Sequence, residues 1–285
     1  MFLIAGLTGN TGAAAAQTLL DAGHQVRGLV RDPSRAAAWS ARGVELATAD
    51  LRDTAALAEA MRGVAGAYLL IGAPLQAADV IGDYIEIATS IRAAARAAGL
   101  PRLVFLSSEG AHLASGTGAV RALHVAEALL ADAAPSVTFL RASYFQENWR
   151  GVFEGARHEG VLPSFHMAGM PPFGMVATRD IGAEAARLLT ESAPPPVVEF
   201  TSAVQATDED AAAAAAEVLG RPVRLVRPPR DAWEGVLRGA GLGADYTRLL
   251  IGLYDGINSG QLGFSGAAPL RTGPTTLAET MRGWV

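Results

Sequence analysis

The chain contains no cysteine and no lysine. Without cysteine there are no disulfides, no thiolate nucleophiles and no thiolate-held metals, and no metal site is expected. The same absence fits a reducing compartment, so a cytoplasmic location is expected. Without lysine, all 23 cationic side chains are arginine, which excludes a lysine Schiff base, a P-loop lysine and a Tyr-x-x-x-Lys acid pair. Basic clusters and acidic tails are also missing, and the net charge is −5. Nucleic acid and membrane surfaces are therefore not expected partners. No run of about 18 apolar residues suggests a membrane span, and "MFLIAGLTGNTG" is too short and too rich in glycine for a signal peptide.

What is present is a long, apolar chain: 285 residues, half of them hydrophobic, enough for one large domain or one domain with a small lobe. Its first half alternates short apolar runs with amphipathic stretches. Strands are expected at "FLIAG", "QVRGLV", "VELATA", "GAYLLIGAP", "RLVFLSS" and "VTFLRAS". Helices are expected over Ala13–Ala22, Ser34–Arg42, Thr54–Met61 with Thr54 as cap, Ile81–Ala98 ended by Gly99, and Ala119–Ala134. Strands in strict alternation with helices imply right-handed crossovers and a doubly wound parallel α/β sheet. After about Arg150 the rhythm loosens into "GVLPSFHMAGMPPFGM". Helices follow at "RDIGAEAARLLTE" (Asp180 as cap), "DEDAAAAAAEVLG" and "DYTRLLIGLYDGINSG", with a last one capped by Thr275 or Thr276. The expected organisation is a Rossmann-like dinucleotide-binding domain over residues 1–157 and a smaller C-terminal α+β substrate lobe over 158–285, some segments of which return to the sheet.

The first strand runs into "GLTGNTG". Gly6, Gly9 and Gly12 separate it from the first helix, a context in which bare backbone and a helix N-terminus can approach a pyrophosphate. The spacing is Gly-x-x-Gly-x-x-Gly rather than the standard Gly-x-Gly-x-x-Gly. The second strand ends in "VRDPSR". Arg31 and Arg35 there can pair with the 2′-phosphate of NADP(H), which is preferred over NAD(H), with Asp32 read as a turn or cap residue before Pro33. Asp50, ending the third strand, can accept from an adenine amino group with Leu51 against the ring, or cap a helix. Gly72, Ala73 and Pro74 end the fourth strand at the carboxyl edge of the sheet, where open α/β folds bind ligands.

The pieces "GLTGNTG", "VRDPSR", "ADLRD", "LVFLSS", "LRASYFQEN", "ATRDIG" and "GPTTLAE", in this order, resemble the NmrA-like group of atypical short-chain dehydrogenases. The resemblance covers most of the chain, loosely in the last third. It implies a Rossmann-like domain, a substrate lobe and bound NADP(H), with cofactor contacts from Gly6, Thr8, Gly9, Asn10, Thr11, Gly12, Arg31, Arg35, Asp50 and Leu51. It also implies that Gly72–Pro74 and Ser143, Tyr144 and Phe145 flank the nicotinamide. The group includes quinone reductases, isoflavone-type and ergot-alkaloid-type reductases, and redox-sensing regulators without turnover.

Many members carry a lysine on the helix after strand five. Alignment on "AEALL" puts Leu123 there, with Ala119 at the tyrosine position; a one-residue shift puts His124 and Val120 there instead. Candidate proton donors are Ser107 and Ser108, which can also serve as loop caps, and His124 and Tyr144, either of which can also be structural. Glu109 and His112 lie in the following loop. No residue between Ser107 and Glu127 is expected to be an indispensable acid. An acceptor with a built-in electron sink asks less of such a donor, so a quinone, enone or iminium is expected. Phe145, Trp149, Phe153, Met170, Phe173, Trp233 and Tyr254 form an apolar substrate wall, or simply pack the lobe. The expected function is an NADP(H)-dependent reductase, monomeric or homodimeric, of an apolar small molecule. The alternative is an NADP(H)-binding sensor or a redox-neutral biosynthetic protein.

Overall fold

The alternation of elements survives into the computed structural model, which describes residues 1–285. Strand β1 (Phe2–Ala5) leads to α1 (Asn10–Asp21), then β2 (Val26–Val30), a 3-10 turn with the short α2 (Ala37–Ser40), β3 (Glu45–Thr48), α3 (Thr54–Met61), β4 (Ala67–Leu69), α4 (Val80–Ala98), β5 (Arg102–Ser108), α5 (Arg121–Leu130) and β6 (Ser136–Ala142). The second half adds β7 (Tyr144–Phe145), α6 (Arg150–Glu159), β8 (Val161–Pro163), β9 (Met175–Val176), α7 (Thr178–Thr190), β10 (Val197–Ser202), α8 (Asp208–Leu219), β11 (Arg224–Val226), α9 (Trp233–Gly239), α10 (Ala244–Asn258), β12 (Leu270–Gly273) and α11 (Leu277–Arg282). No helix is long and apolar enough to cross a membrane.

Eight strands form one sheet in the order β12-β10-β6-β5-β4-β1-β2-β3, every neighbouring pair parallel. Because successive side chains point to opposite faces, each central strand feeds two cores. Leu3, Leu103 and Phe105 face Leu57, Ile87 and Ile91 of α3 and α4. Ile4, Tyr68 and Val104 face Leu19 of α1 and Ile181 and Leu188 of α7. A third cluster, Trp149, Phe153, Leu162, Met175, Leu277 and Met281, fills the lobe. The chain reverses its winding between β1 and β4, so the crevice at the carboxyl ends of these strands is the place an open sheet offers a ligand.

Several local expectations are corrected. Strand β4 stops at Leu69 and residues 70–79 are irregular; Pro74 offers no N–H to a ladder. The cap of α3 is Asp53, which accepts from Ala56 N–H at 3.0 Å, not Thr54 and not Asp50. The stretch expected as a helix over 34–42 is a 3-10 turn and one short helix, and α5 is shorter than the expected 119–134. Asp180 does not cap α7. It accepts from the Thr275 N–H and hydroxyl at 2.9 and 2.7 Å, while Glu147 takes the Thr178 N–H at 3.0 Å. Thr276, with Glu279, makes the capping box of α11.

Candidate active site

The loop from β1 to α1 has the form a dinucleotide needs. Gly6 sits at φ +67°, a left-handed conformation that favours glycine. A Cβ on Gly12 would lie 2.3 Å from the carbonyl oxygens of Ala5 and Gly6, so α1 rests directly on the end of β1. Gly9 differs: a Cβ there would meet only Gly6 O, at 3.3 Å, so packing places little demand on it. It opens α1 without a side-chain cap, and Thr8, Gly9 and Asn10 are exposed. A bare helix N-terminus with free N–H groups and no side chain in front of it fits a pyrophosphate.

The next two strands end on the same edge. Asp32 is turned back, accepting from Ser34 N–H at 3.0 Å and Ser34 Oγ–H at 2.7 Å. It is the turn residue expected, and it leaves Arg31 and Arg35 exposed. Asp50 accepts from Arg52 N–H at 2.9 Å in a tight turn and remains exposed beside half-buried Leu51. Gly72 and Ala73 are exposed after β4. Ser143, after β6, is buried with no partner for its hydroxyl. These residues fit a dinucleotide along the carboxyl edge, and exposed arginines after β2 would suit the 2′-phosphate of NADP(H) there.

The serine and helix candidates divide. Ser107 is buried, and its hydroxyl donates to Glu127 Oε1 at 2.5 Å, so it faces an internal network and not a ligand. Glu127 also receives both arms of Arg141, at 2.9 and 2.5 Å. A buried carboxylate held this way ties α5 to β5 and β6, and losing one partner of such a pair costs about 3–5 kcal/mol. Ser108, one residue on, points to the opposite face and is half-buried. Leu123 packs against the first core. His124 Nδ1 donates to Ala111 O at 2.9 Å, a loop contact that fixes the tautomer. Burial pushes the Glu109 carboxyl up to about 8, against the opposing Tyr144 N–H. It stands where β5 ends.

The aromatic candidates also divide. Phe153 is an interior residue packed edge-on to Trp284 at 5.1 Å, so it is lobe core rather than a wall. Phe145 packs with the α1–α7 side of the sheet. Met170 is half-buried in the loop after β8. Tyr144, Trp149, Phe173, Trp233 and Tyr254 belong to one connected set, joined by Phe165 and His166, which sequence reasoning missed. Trp233 touches Phe165 at 5.3 Å and Tyr254 at 6.1 Å. Phe173, Tyr144 and Tyr254 lie 5.0, 5.2 and 5.4 Å from the His166 ring. His166 Nδ1 donates to Asp208 Oδ1 at 2.8 Å, while its buried Nε2 has no partner. An unsatisfied buried nitrogen costs about 1–3 kcal/mol, which is out of place in a purely structural histidine. The "SFHMAG" stretch offered its one histidine to the eye, but Asp208 lies 42 residues on, in a run whose sequence looks like an ordinary helix start.

A separate cavity of 420 Å³ opens between α8 and α11. Its carboxylates are spent, Asp210 in the Thr207 capping box and Glu217 on Arg282, so it adds no chemistry.

Comparison with known proteins finds relatives over most of the chain. The chain is 28% identical over 244 residues to an NAD(P)H azoreductase of Xenophilus azovorans, covering 85% of this chain and 82% of that protein. It is 32% identical over 227 residues to the (4-alkanoyl-5-oxo-2,5-dihydrofuran-3-yl)methyl phosphate reductase of Streptomyces griseus, covering 79% and 76%. The crystal structure of the Escherichia coli NADPH-dependent quinone oxidoreductase complexed with NADPH superimposes with a TM-score of 0.76 at 26% identity over 99% of both chains. The family model described as the NmrA-like family matches residues 1–245, and the chain belongs to that family.

Proposed function

We propose that this protein is an NADP(H)-dependent reductase of a flat, largely apolar, conjugated acceptor such as a quinone, an enone or an imine. One observation carries the reading: the uncapped Gly9 start of α1, exposed Arg31 and Tyr144 follow the carboxyl ends of β1, β2 and β6 in one parallel sheet, and Tyr144 leads into the aromatic set. When bound, reduced nicotinamide supplies a hydride. The chain's own residues do the rest. Gly6, Thr8, Gly9, Asn10, Thr11 and Gly12 receive the pyrophosphate. Arg31 and Arg35 pair with the 2′-phosphate, and Asp50 and Leu51 take the adenine. Gly72, Ala73, Pro74 and the Ser143–Phe145 segment border the nicotinamide. The aromatic set excludes water and orients the acceptor, and positioning alone is worth roughly 7–11 kcal/mol. Relatives named for azo compounds, quinones and a dihydrofuranone phosphate support an acceptor whose electron sink is built in.

The test is paired titration of NADPH and NADH into wild type and Arg31→Ala, followed by stopped-flow oxidation of bound NADPH by naphthoquinone. NADPH is expected to bind more tightly. Arg31→Ala should lose about 1.5–3 kcal/mol for NADPH and almost nothing for NADH. Equal affinities in wild type sink the cofactor assignment. Tight NADPH binding with no oxidation by any conjugated acceptor leaves the sensor reading instead.

A further inference from the structure

The Glu109 carboxyl has no part in the cofactor and acceptor contacts above, yet it stands among them. Strand β5 lies between β4 and β6, and Glu109 is the first residue beyond its end. Gly72–Pro74 and Ser143–Phe145, the segments that would border the nicotinamide, follow the strands on either side. The last rung of the β5–β6 ladder joins Ser108 to Ala142, and the Glu109 N–H donates to Ala142 O at 2.9 Å. The next residue turns away. Gly110 has φ +78°, and its N–H donates to Gly263 O at 3.0 Å. A Cβ on Gly110 would lie 3.0 Å from Leu262 Cγ, so the lobe rests directly on this turn. The Glu109 backbone is thus held by the sheet on one side and by the lobe on the other. A group fixed in this way is already in place when a ligand arrives.

The carboxyl itself is uncommitted. No cation acts on it: burial dominates, opposed only by the Tyr144 N–H. Unlike His166 Nε2, neither of its oxygens is a sealed atom without a partner, and the residue keeps part of its surface in solvent. The charges on the surrounding elements are engaged elsewhere. Arg141 of β6 holds Glu127 of α5 with both arms, at 2.9 and 2.5 Å. His124 of α5 is fixed on Ala111 O at 2.9 Å, and His112 is exposed. The Tyr144 and Tyr254 phenols ionise above their usual range. The lobe segment against Gly110, residues 260–263, carries no titratable group. A carboxyl withdrawn from water with no cation beside it keeps its proton, and burial pushes Glu109 up to about 8. A neutral carboxylic acid donates a hydrogen bond, which is the capacity that the missing Tyr/Lys pair leaves unfilled.

We propose that Glu109 is the general acid of this reductase and gives its proton to the acceptor as hydride arrives. This rests on the reductase reading, and it places an acid within Ser107–Glu127, a stretch whose sequence predicts no indispensable one. The acceptor gains a hydride, and with it the two electrons that reduced nicotinamide loses. The Glu109 O–H bond breaks, and a new O–H or N–H bond forms on the acceptor oxygen or nitrogen that takes up the charge. Glu109 is left as a carboxylate. The ring that has given up hydride is cationic, so the new negative charge forms near a positive one. Water then returns a proton to the carboxyl from the side the residue keeps in solvent.

One arm of the test needs no turnover. NADPH and NADP⁺ are titrated calorimetrically into wild type and Glu109→Gln at pH 7.5, in buffers of differing ionisation enthalpy, which counts the protons exchanged on binding. The 2′-phosphate is common to both cofactors, so the difference between them reports on groups beside the ring. Wild type should release a fraction of a proton more with NADP⁺ than with NADPH, because the cationic ring favours the Glu109 carboxylate. Glu109→Gln should show no such difference. The second arm is single-turnover oxidation of bound NADPH by naphthoquinone from pH 6 to pH 10. General acid catalysis is typically worth about 10²–10⁴-fold, and a quinone asks for the lower end, so Glu109→Gln should be slower by about 10²-fold at pH 6.5. The wild-type rate should fall as pH rises through about 8 and approach that of the variant, whose own rate should stay level. Equal proton release with both cofactors in wild type overturns the proposal. So does a rate that Glu109→Gln leaves unchanged, even where NADPH binds more weakly, since Glu109 is then a cofactor contact and not an acid. Glu109→Gln keeps the size of the side chain, and the wild-type titrations judge the proposal even where the variant does not fold. Wild type that binds NADPH but passes hydride to no conjugated acceptor overturns the reductase reading and the acid with it, whereas turnover indifferent to Glu109 overturns the acid alone.

Discussion

Glu109 shows how much one buried side chain can couple this protein to pH. Its carboxyl is pushed up to about 8 by burial, from 4.5 when solvated. Between those values the folded protein holds a proton that the unfolded chain releases. Stability tied to this group is therefore complete below about pH 4.5 and is lost as pH rises through 8, with a limiting slope of about 1.4 kcal/mol per unit. Glu109 keeps part of its surface in solvent, so only a fraction of that slope is expected. Glu109→Gln, which cannot ionise, should melt close to wild type at pH 5 and above it at pH 9. Thermal melts across that range decide the matter, and a gap that shrinks as pH rises contradicts the assignment. Legibility at this scale was uneven. Arg31, Asp32 and Tyr144 could be placed from strand ends alone. Ser107 could not be distinguished from a ligand-facing hydroxyl, because its partners Glu127 and Arg141 come from two other elements. Asp208 was invisible for the same reason: a buried pair across the lobe leaves no local period or spacing.

Among the elements, the crossing of α1 and α7 governs the cofactor end. Helix α1 presents Ala15 and Ala16 to α7, which answers with Gly182; a Cβ on Gly182 would lie 2.4 Å from Thr11 O and 2.5 Å from Ala14 Cβ. Small residues on both sides let the helices approach closely, and the N-terminus of α1 is the pyrophosphate cradle. Gly182→Ala should therefore cost about 1–3 kcal/mol by overpacking and also weaken NADPH binding, because α1 can yield only by shifting its first turn. Urea midpoints and NADPH titration measure the two effects. Full stability with unchanged affinity would show the crossing to be soft. The existence of both helices was legible from their 3.6-residue periodicity. Their meeting was not, since they are separated by most of the sheet in sequence. Caps were misassigned for a related reason. The α7 start is satisfied by Glu147 from the segment after β7, and a tertiary cap overrides the local Asp180 signal.

At the scale of the whole molecule, the six strands of the first half suggested a domain ending near residue 157, and the sheet itself does not stop there. Strand β10 pairs with β6 through Val197–Phe139 to Phe200–Ala142, and β12 pairs with β10 beyond it. Ile181, Leu188, Leu189, Val198 and Phe200 complete the core that Ile4, Leu19, Tyr68 and Val104 begin. That closure was only partly legible: "VVEFTSA" reads as a strand, but its partner is fixed by tertiary contacts across the sheet. The consequence is testable by truncation. A fragment of residues 1–157 would expose one face of α1, leave β6 as an open edge and uncover the apolar surface those five side chains cover. At about 1.5–3 kcal/mol for each large apolar side chain, the loss matches a whole domain's net stability of about 5–15 kcal/mol. The fragment should therefore fail to fold: no near-ultraviolet circular dichroism, no NADPH binding, and aggregation through the β6 edge. The intact chain should melt in one calorimetric transition with equal calorimetric and van't Hoff enthalpies. A soluble, cooperatively folding 1–157 fragment that binds NADPH would show that the lobe is an appendage and that the shared sheet is not what holds the cofactor end together.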